Sequence, residues 1–208
     1  NGSFSFSSSG ENVLNNTNIL KTSIDNSLTY NSTDYFSNLG IKNNFGIHFK
    51  NLNTVAKNHL TYKSNLQTQL MSIFEARSEF PLIKDTNNFS ETITPTISFR
   101  INPGQMKSLK ARSVNIDNIF SINRLGLSDA YEKGKSITMG INYKKSKNND
   151  KNISYNNLED IEKYFEVKLA GVLRDVEENK ISSSSTLNRR ASNLFGSITN
   201  NMSDKIQL

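Results

Sequence analysis

The 208-residue sequence has no cysteine, no tryptophan, three prolines and two histidines. Without cysteine, these residues hold neither a disulfide framework nor a thiolate metal site. His48 and His59 have no carboxylate or cysteine at ligand spacing, which argues against a zinc centre. No apolar run approaches the roughly 18 residues of a membrane helix, which excludes a helical membrane protein. It leaves a membrane barrel open, because in a barrel only alternate strand residues face lipid. The chain starts at Asn1 with no Met and no charged-then-apolar leader, and residues 205–208 read as the opening of a strand. Both ends point to a window cut from a longer protein.

What is abundant is charge of one sign and small polar residues. Lys and Arg number 25 against 19 acidic residues, a net charge of +6. A basic balance fits nucleic acid, anionic lipid or no specific partner. Lys, Asn and Ile are all common here, a bias that an AT-rich genome produces by itself. No aromatic-basic cluster or nucleic-acid-binding module accompanies the charge, so no nucleic-acid partner is expected.

The dominant pattern has period two, in segments of about nine to seventeen residues separated by Asn, Ser, Gly and Asp clusters. In residues 39–50, Leu39, Ile41, Phe45, Ile47 and Phe49 fall on one face, with Lys42, Asn44, Gly46, His48 and Lys50 on the other. A pleated strand imposes this separation, since successive side chains point to opposite sides. Residues 19–30, 58–77, 91–101, 135–144, 161–174 and 191–202 repeat it. The expectation is about eight antiparallel strands, with a ninth starting near Lys205.

Connections at 31–38, 80–89 and 202–204 read as short turns, and those at 102–134 and 175–190 as long loops. Short turns on one rim and long external loops on the other match outer-membrane barrels. Residues 145–160, long yet on the short-turn rim, fit this assignment poorly. Pro95 lies inside a segment, which requires an edge, a bulge or a later strand start. Alternation by itself leaves three readings open: a membrane barrel, a soluble or surface-displayed β-sandwich binding module, and an unrelated outer-membrane pore or receptor barrel.

No catalytic constellation emerges. Gly134-Lys135-Ser136 mimics the end of a phosphate-binding loop, but the first glycine would fall on Asp129 and the segment enters a strand. The serines at 182–185 have no strained elbow and read as a solvated loop. Glu159, Asp160, Glu162, Glu177 and Glu178 read as acidic loop ends rather than a cation site.

Residues 118–143, NIFSINRLGLSDAYEKGKSITMGINY, join a polar loop with Asn-Arg and Ser-Asp pairs to a Glu-Lys-Gly turn and an alternating strand. This order resembles the central barrel of the LPS-assembly protein LptD (OstA) family, with its "D-N-[LI]-F…N-R…E…G…[LI]-T-x-G" run. Residues 181–188, 192–196, 200–204 and 94–100 are similar to further family segments, in the family's order. The resemblance is best over 94–208; residues 1–91 share only the strand pattern. Ser128-Asp129-Ala130 departs from the family's usual "D-R", and residues 167–171 lack its "G-Q" motif. The resemblance implies that residues 1–208 belong to an all-β, antiparallel up-and-down transmembrane barrel in the Gram-negative outer membrane. The periplasmic jellyroll domain and the remaining strands would lie outside this window. It implies non-enzymatic lipopolysaccharide transport without a cofactor. Its implied partners are an LptE-like lipoprotein in the lumen, a periplasmic bridge protein reached through the jellyroll, and outer-membrane lipids. The polar strand faces then make Lys42, Lys63, Arg100 and Lys168 candidate lumen-facing basic residues.

Overall fold

The computed structural model describes residues 1–106, 113–127, 130–147, 163–183 and 186–201. The strand expected at Lys205, residues 148–160 of the poorly fitting connection, and Ser128-Asp129 lie outside these. Ten strands form one antiparallel sheet: β1 Gly2–Asn15, β2 Ile19–Ser32, β3 Tyr35–Phe36, β4 Lys42–Lys57, β5 Gln67–Glu79, β6 Leu82–Asp85, β7 Phe89–Asn102, β8 Gly134–Lys147, β9 Tyr164–Arg174 and β10 Phe195–Asn200. Eight of them run β1-β2-β4-β5-β7-β8-β9-β10, while β3 and β6 are short additions to β4 and β7. Each long strand pairs with the next long strand in the chain, as in an up-and-down meander. Among the described residues, no helix is long and apolar enough to cross a membrane.

Several boundaries differ from the sequence reading, each for a local reason. β1 was not anticipated, since past Phe4 and Phe6 its apolar face turns to Ser8, Gly10 and Asn12. β4 continues seven residues beyond Lys50, because Asn51 and Asn53 occupy strand positions that their type disfavours. The expected strand at 58–77 starts only at Gln67. Asn58 takes a left-handed φ of 55° and ends β4. Residues 58–66 then form a loop closed by the bond from Ala56 N–H to the Lys63 carbonyl, 2.9 Å. Lys63 is therefore a loop residue and not part of a strand wall. Pro95 lies where β7 changes partners: its pairing with β5 stops at Thr96 and that with β6 begins at Ile93. The Pro95 carbonyl accepts from Phe80 N–H at 3.0 Å on that side, so the missing N–H costs no ladder bond.

The sheet is inverted relative to a soluble one. The described residues of the connections, 103–106, 113–127, 130–133, 175–183 and 186–194, fold back over one face. There Met106, Val114, Ile119, Leu125, Leu127, Ile181 and Leu187 pack against Leu52, Met71, Ile73, Ala170 and Val172. Most of this covered face is polar: Ser98, Arg100, Asn102, Ser136, Thr138 and Arg174 lie on it, all buried. The opposite face is bare and apolar. Phe45, Phe49, Ile97, Phe99, Ile137, Met139, Ile141, Leu169 and Leu173 all point there and are exposed. Gly140 shows how closely the loop approaches: a Cβ at this position would stand 2.8 Å from the Phe120 ring and 2.9 Å from the Leu169 carbonyl.

Candidate functional site

The long loop needs polar as well as apolar docking, because the wall it meets sets hydroxyls and charged groups beside the hydrocarbon of Leu52, Met71, Ile73, Ala170 and Val172. Strand alternation places Ser136 and Thr138 of β8, Arg174 of β9, and Ser98, Arg100 and Asn102 of β7 on the covered face. Arg124, at the loop's centre and 0% exposed, meets them. Its Nε donates to Glu132 Oε2 and its Nη2 to Glu132 Oε1, both at 2.6 Å, a bidentate fork. Nη2 also donates to Ser136 Oγ at 3.1 Å, and Nη1 to Thr138 Oγ1 at 2.9 Å and, more weakly, to the Ile119 carbonyl at 3.5 Å. All five guanidinium N–H donors thus have acceptors. Arg174 closes the network from the strand side, donating to Glu132 Oε1 and to the Lys133 carbonyl.

Burial would raise the Glu132 carboxyl, but Arg124, Arg174 and Arg100 outweigh it and hold Glu132 below its usual range. Tyr131 moves upward, chiefly through burial and also through Asp25.

A second tie lies beside the first. Arg100, 2% exposed, donates from Nη2 to the Phe120 carbonyl at 2.9 Å and to Glu75 at 3.3 Å. Asn102 Nδ2 donates to the carbonyls of Tyr131 and Glu132 at 3.2 and 3.1 Å, and its Oδ1 accepts from Gly104 N–H at 2.8 Å. One side chain therefore holds both ends of the loop. Within the loop, Asn115, Asn118 and Asn123 accept backbone N–H bonds that fix its local turns, the Asn123 bond in a part-buried setting.

Three of the four basic candidates reach the covered face. Lys42 pairs with Asp34 at 3.2 Å and Glu79 at 3.6 Å, Arg100 with Glu75, and Lys168 with Glu166 at 3.2 Å and Asp117 at 3.3 Å. Lys63 is exposed in the 58–66 loop. Below the long loop, a cavity of about 510 Å³ opens between the strands, lined in part by Arg77, Glu79, Thr94, Asp117, Phe120 and Lys168. His48 faces the same side, against Thr29 and Tyr131, and His59 sits in the 58–66 loop beside Tyr62. Among the described residues, no group of three or more His, Cys, Asp or Glu side chains could hold a metal.

Sequence reading did not find the Arg124–Glu132–Arg174 network. Arg124 and Glu132 stand in the segment that carries the family resemblance, yet nothing in their spacing marks them as partners, and Arg174 is 42 residues from Glu132.

The arrangement is a polar wall with a loop locked onto it, backed by an apolar face. The family model LptD, described as LPS transport system D, matches residues 1–208, the whole chain. No curated protein matches it.

Arg124→Met leaves a buried carboxylate short of its main partner and is expected to cost about 3 kcal/mol of loop docking. Adding Glu132→Leu should recover part of that, giving a coupling of about 1–3 kcal/mol. Protease protection of residues 103–133 in the folded full-length protein measures both, and additive losses would contradict the pairing. Because the docked-state pKa of Glu132 is lowered, its contribution is complete above the ordinary 4.5 and is lost as pH falls through the lower docked value. An environment-sensitive dye at Ser113 should therefore report a loop that loosens below about pH 4.5 and is unchanged between pH 6 and 8. In Glu132→Gln that acid step should disappear.

Proposed function

The chain belongs to the LptD family of outer-membrane lipopolysaccharide transport proteins, and from that premise we propose that its sheet is one section of a larger barrel wall through which lipopolysaccharide reaches the cell surface. In this reading residues 1–208 lie within the barrel domain, and the periplasmic jellyroll and remaining strands lie outside them. The observation that carries the reading is the inverted sheet. A face presenting Phe45, Phe99, Met139, Ile141 and Leu169 to the surroundings is unfavourable in water and favourable in hydrocarbon. The polar, loop-covered face is then the lumen wall.

The division of labour follows from the chemistry of an amphiphile. Sugars and phosphates need a hydrated, hydrogen-bonding interior, whereas acyl chains are stable against an apolar surface. The chain supplies both and performs no bond chemistry; the driving force comes from elsewhere in the pathway. An LptE-like lipoprotein occupies part of the lumen, and a bridge protein delivers substrate through the jellyroll. Lys42, Arg100 and Lys168 on the lumen side, with Lys63 at the rim, bias the interior toward phosphate-bearing glycolipid. Their acidic partners moderate that field, so the effect is collective rather than a single binding site.

Loops 58–66, 103–133 and 175–194 share one rim, assigned to the cell exterior. A thiol label at Leu60→Cys, at the exposed tip of the 58–66 loop, should react in intact cells; protection there would reverse the orientation. Charge reversal at Lys42, Lys63 and Lys168 together should slow surface delivery of lipopolysaccharide severalfold in a barrel that still shows heat-modifiable mobility. Unchanged delivery would reduce these residues to solvating the lumen.

A further inference from the structure

The bare face is not apolar throughout. On β1, β2, β4 and β5 it changes character beyond the row Phe6, Leu28, Phe49. The next outward-facing rows carry Ser8, Asn26, Asn51, Asn53 and Thr68, joined in one hydrogen-bonded chain across four strands, with Gly10, Ile24 and Leu70 interleaved among them. Ser8 Oγ donates to Asn26 Oδ1 at 2.7 Å, and Asn26 Nδ2 to Asn51 Oδ1 at 3.4 Å. Asn53 Nδ2 donates to the same Asn51 oxygen at 2.6 Å, and Thr68 Oγ1 to Asn53 Oδ1 at 2.8 Å. Thr22 and Asn12 extend the ladder toward the rim, 3.2 Å apart. The chain of bonds holds the carboxamides side by side and leaves the Asn51 amide N–H groups outside it.

Asn is a poor strand former, and three of them on the exposed face of adjacent strands contradict both strand propensity and the apolar band below. The ladder lies toward the rim of the long loops. There β5 continues from Ile73 to Gln67 beyond its last pairing with β7, Phe74 with Ile101, so β1–β5 form a wall taller than the strands that follow. At about 3.4 Å per residue, the ladder covers roughly 14 Å of that wall immediately above the apolar band. Within the ladder no outward position carries a charge; Lys57 follows two rows beyond Asn53, at the end of β4. Asp25, Lys50 and Lys21 of the same strands face the covered side, where Lys50 pairs with Asp25 at 2.7 Å.

We propose that this Asn–Ser–Thr ladder is a contact surface for the neutral saccharide headgroups of the glycolipid surrounding the barrel in the outer leaflet. The proposal rests on the reading that the bare face meets lipid and that the long-loop rim is external. Three features select this occupant. The surface is continuous with the apolar band, so whatever covers it is the polar portion of the same lipid. Pre-ordered carboxamides and hydroxyls match sugar hydroxyls, both donating and accepting. No position within the ladder itself carries a cation, which disfavours phosphate as the group held at the carboxamides, since phosphate sites use Arg or Lys. The ladder would anchor resident glycolipid against the wall and takes no part in passage through the lumen.

The test uses full-length protein, stripped of lipid in mild detergent and titrated separately with rough lipopolysaccharide and with phosphatidylethanolamine. Asn26→Ala, Asn51→Ala and Asn53→Ala combined should lower retained lipopolysaccharide about tenfold in affinity for the sites lost, with phosphatidylethanolamine unchanged. The isosteric Asn51→Asp, which keeps the strand's shape, should weaken the same binding through repulsion of the lipid's phosphates. Surface delivery in cells and heat-modifiable mobility should stay at wild-type levels for both variants. Equal retention by wild type and variants, or a parallel loss of both lipids, would overturn the proposal. Failure of the Leu60 label would instead overturn the orientation on which it depends.

Discussion

Everything in this chain depends on the two-residue period of the β-strand. A strand cannot choose the side of each residue independently; once one position faces outward, every second one does. In β7, β8 and the first half of β4 that constraint sorts most of the sequence into an apolar row and a polar row. Pairing each long strand with the next aligns the rows across the sheet, and each becomes a surface. The backbone hydrogen bonds of the meander are used between strands, so the sheet can present its apolar surface to hydrocarbon without unsatisfied groups in the strand interiors. What would destabilise a soluble sheet is here the condition of residence in a membrane.

The polar surface creates the opposite difficulty. The described parts of the loop, residues 113–127 and 130–133, settle on a wall that sets Ser, Thr and Arg among its apolar residues, and those polar groups must be met. The chain answers with specific partners. Arg124 spends its donors on Glu132, Ser136 and Thr138, while Asn102 gathers both ends of the loop and Arg100 grips Phe120 from below. A buried ion pair adds little net stability compared with a well-packed apolar core, but breaking one half of it is expensive. Its effect is therefore to select one docked position. The apolar contacts of Met106, Ile119 and Leu125 with Met71, Ile73 and Val172 add attraction wherever the wall permits it.

The legible part of the fold was the part written in a local period. The faces of residues 42–50, 91–101, 135–144 and 165–174 could be read directly, because Ile, Phe and Leu alternate there with Lys, Asn and Thr. β1 escaped because its alternation fades after Phe6, and the second half of β4 because Asn51 and Asn53 are turn residues by preference. Residues 58–66 misled in the other direction: Leu60, Tyr62 and Leu66 mimic a strand, yet Leu60 and Leu66 are exposed and Tyr62 is buried. The larger miss was the long loop. Its polarity reads as solvation, whereas Arg124 is fully buried and takes strand hydroxyls and Glu132 in place of water. Whether a polar loop is wet or buried depends on the surface it meets, and the polar contacts with that surface join residues 12 to 42 positions apart, from Arg124–Ser136 to Glu132–Arg174.

Two kinds of polar surface emerge from the same strands, and they differ in a way that composition could not reveal. On the covered side polar groups are charged and paired, as in Arg124–Glu132, Lys50–Asp25 and Lys168–Glu166. On the bare side, above the apolar band, they are neutral and linked into a ladder by single hydrogen bonds. Charge pays off only where partners are fixed and water is scarce, because an exposed pair is worth little and is screened by salt. Neutral amides lose less when they exchange one partner for another, which suits a surface covered by molecules that come and go. The position of each residue in the two-residue period thus decides its chemistry. Asp25 and Asn26 are neighbours in sequence and face different worlds, one held by Lys50 against the loop and the other by Ser8 and Asn51 at the margin of the lipid.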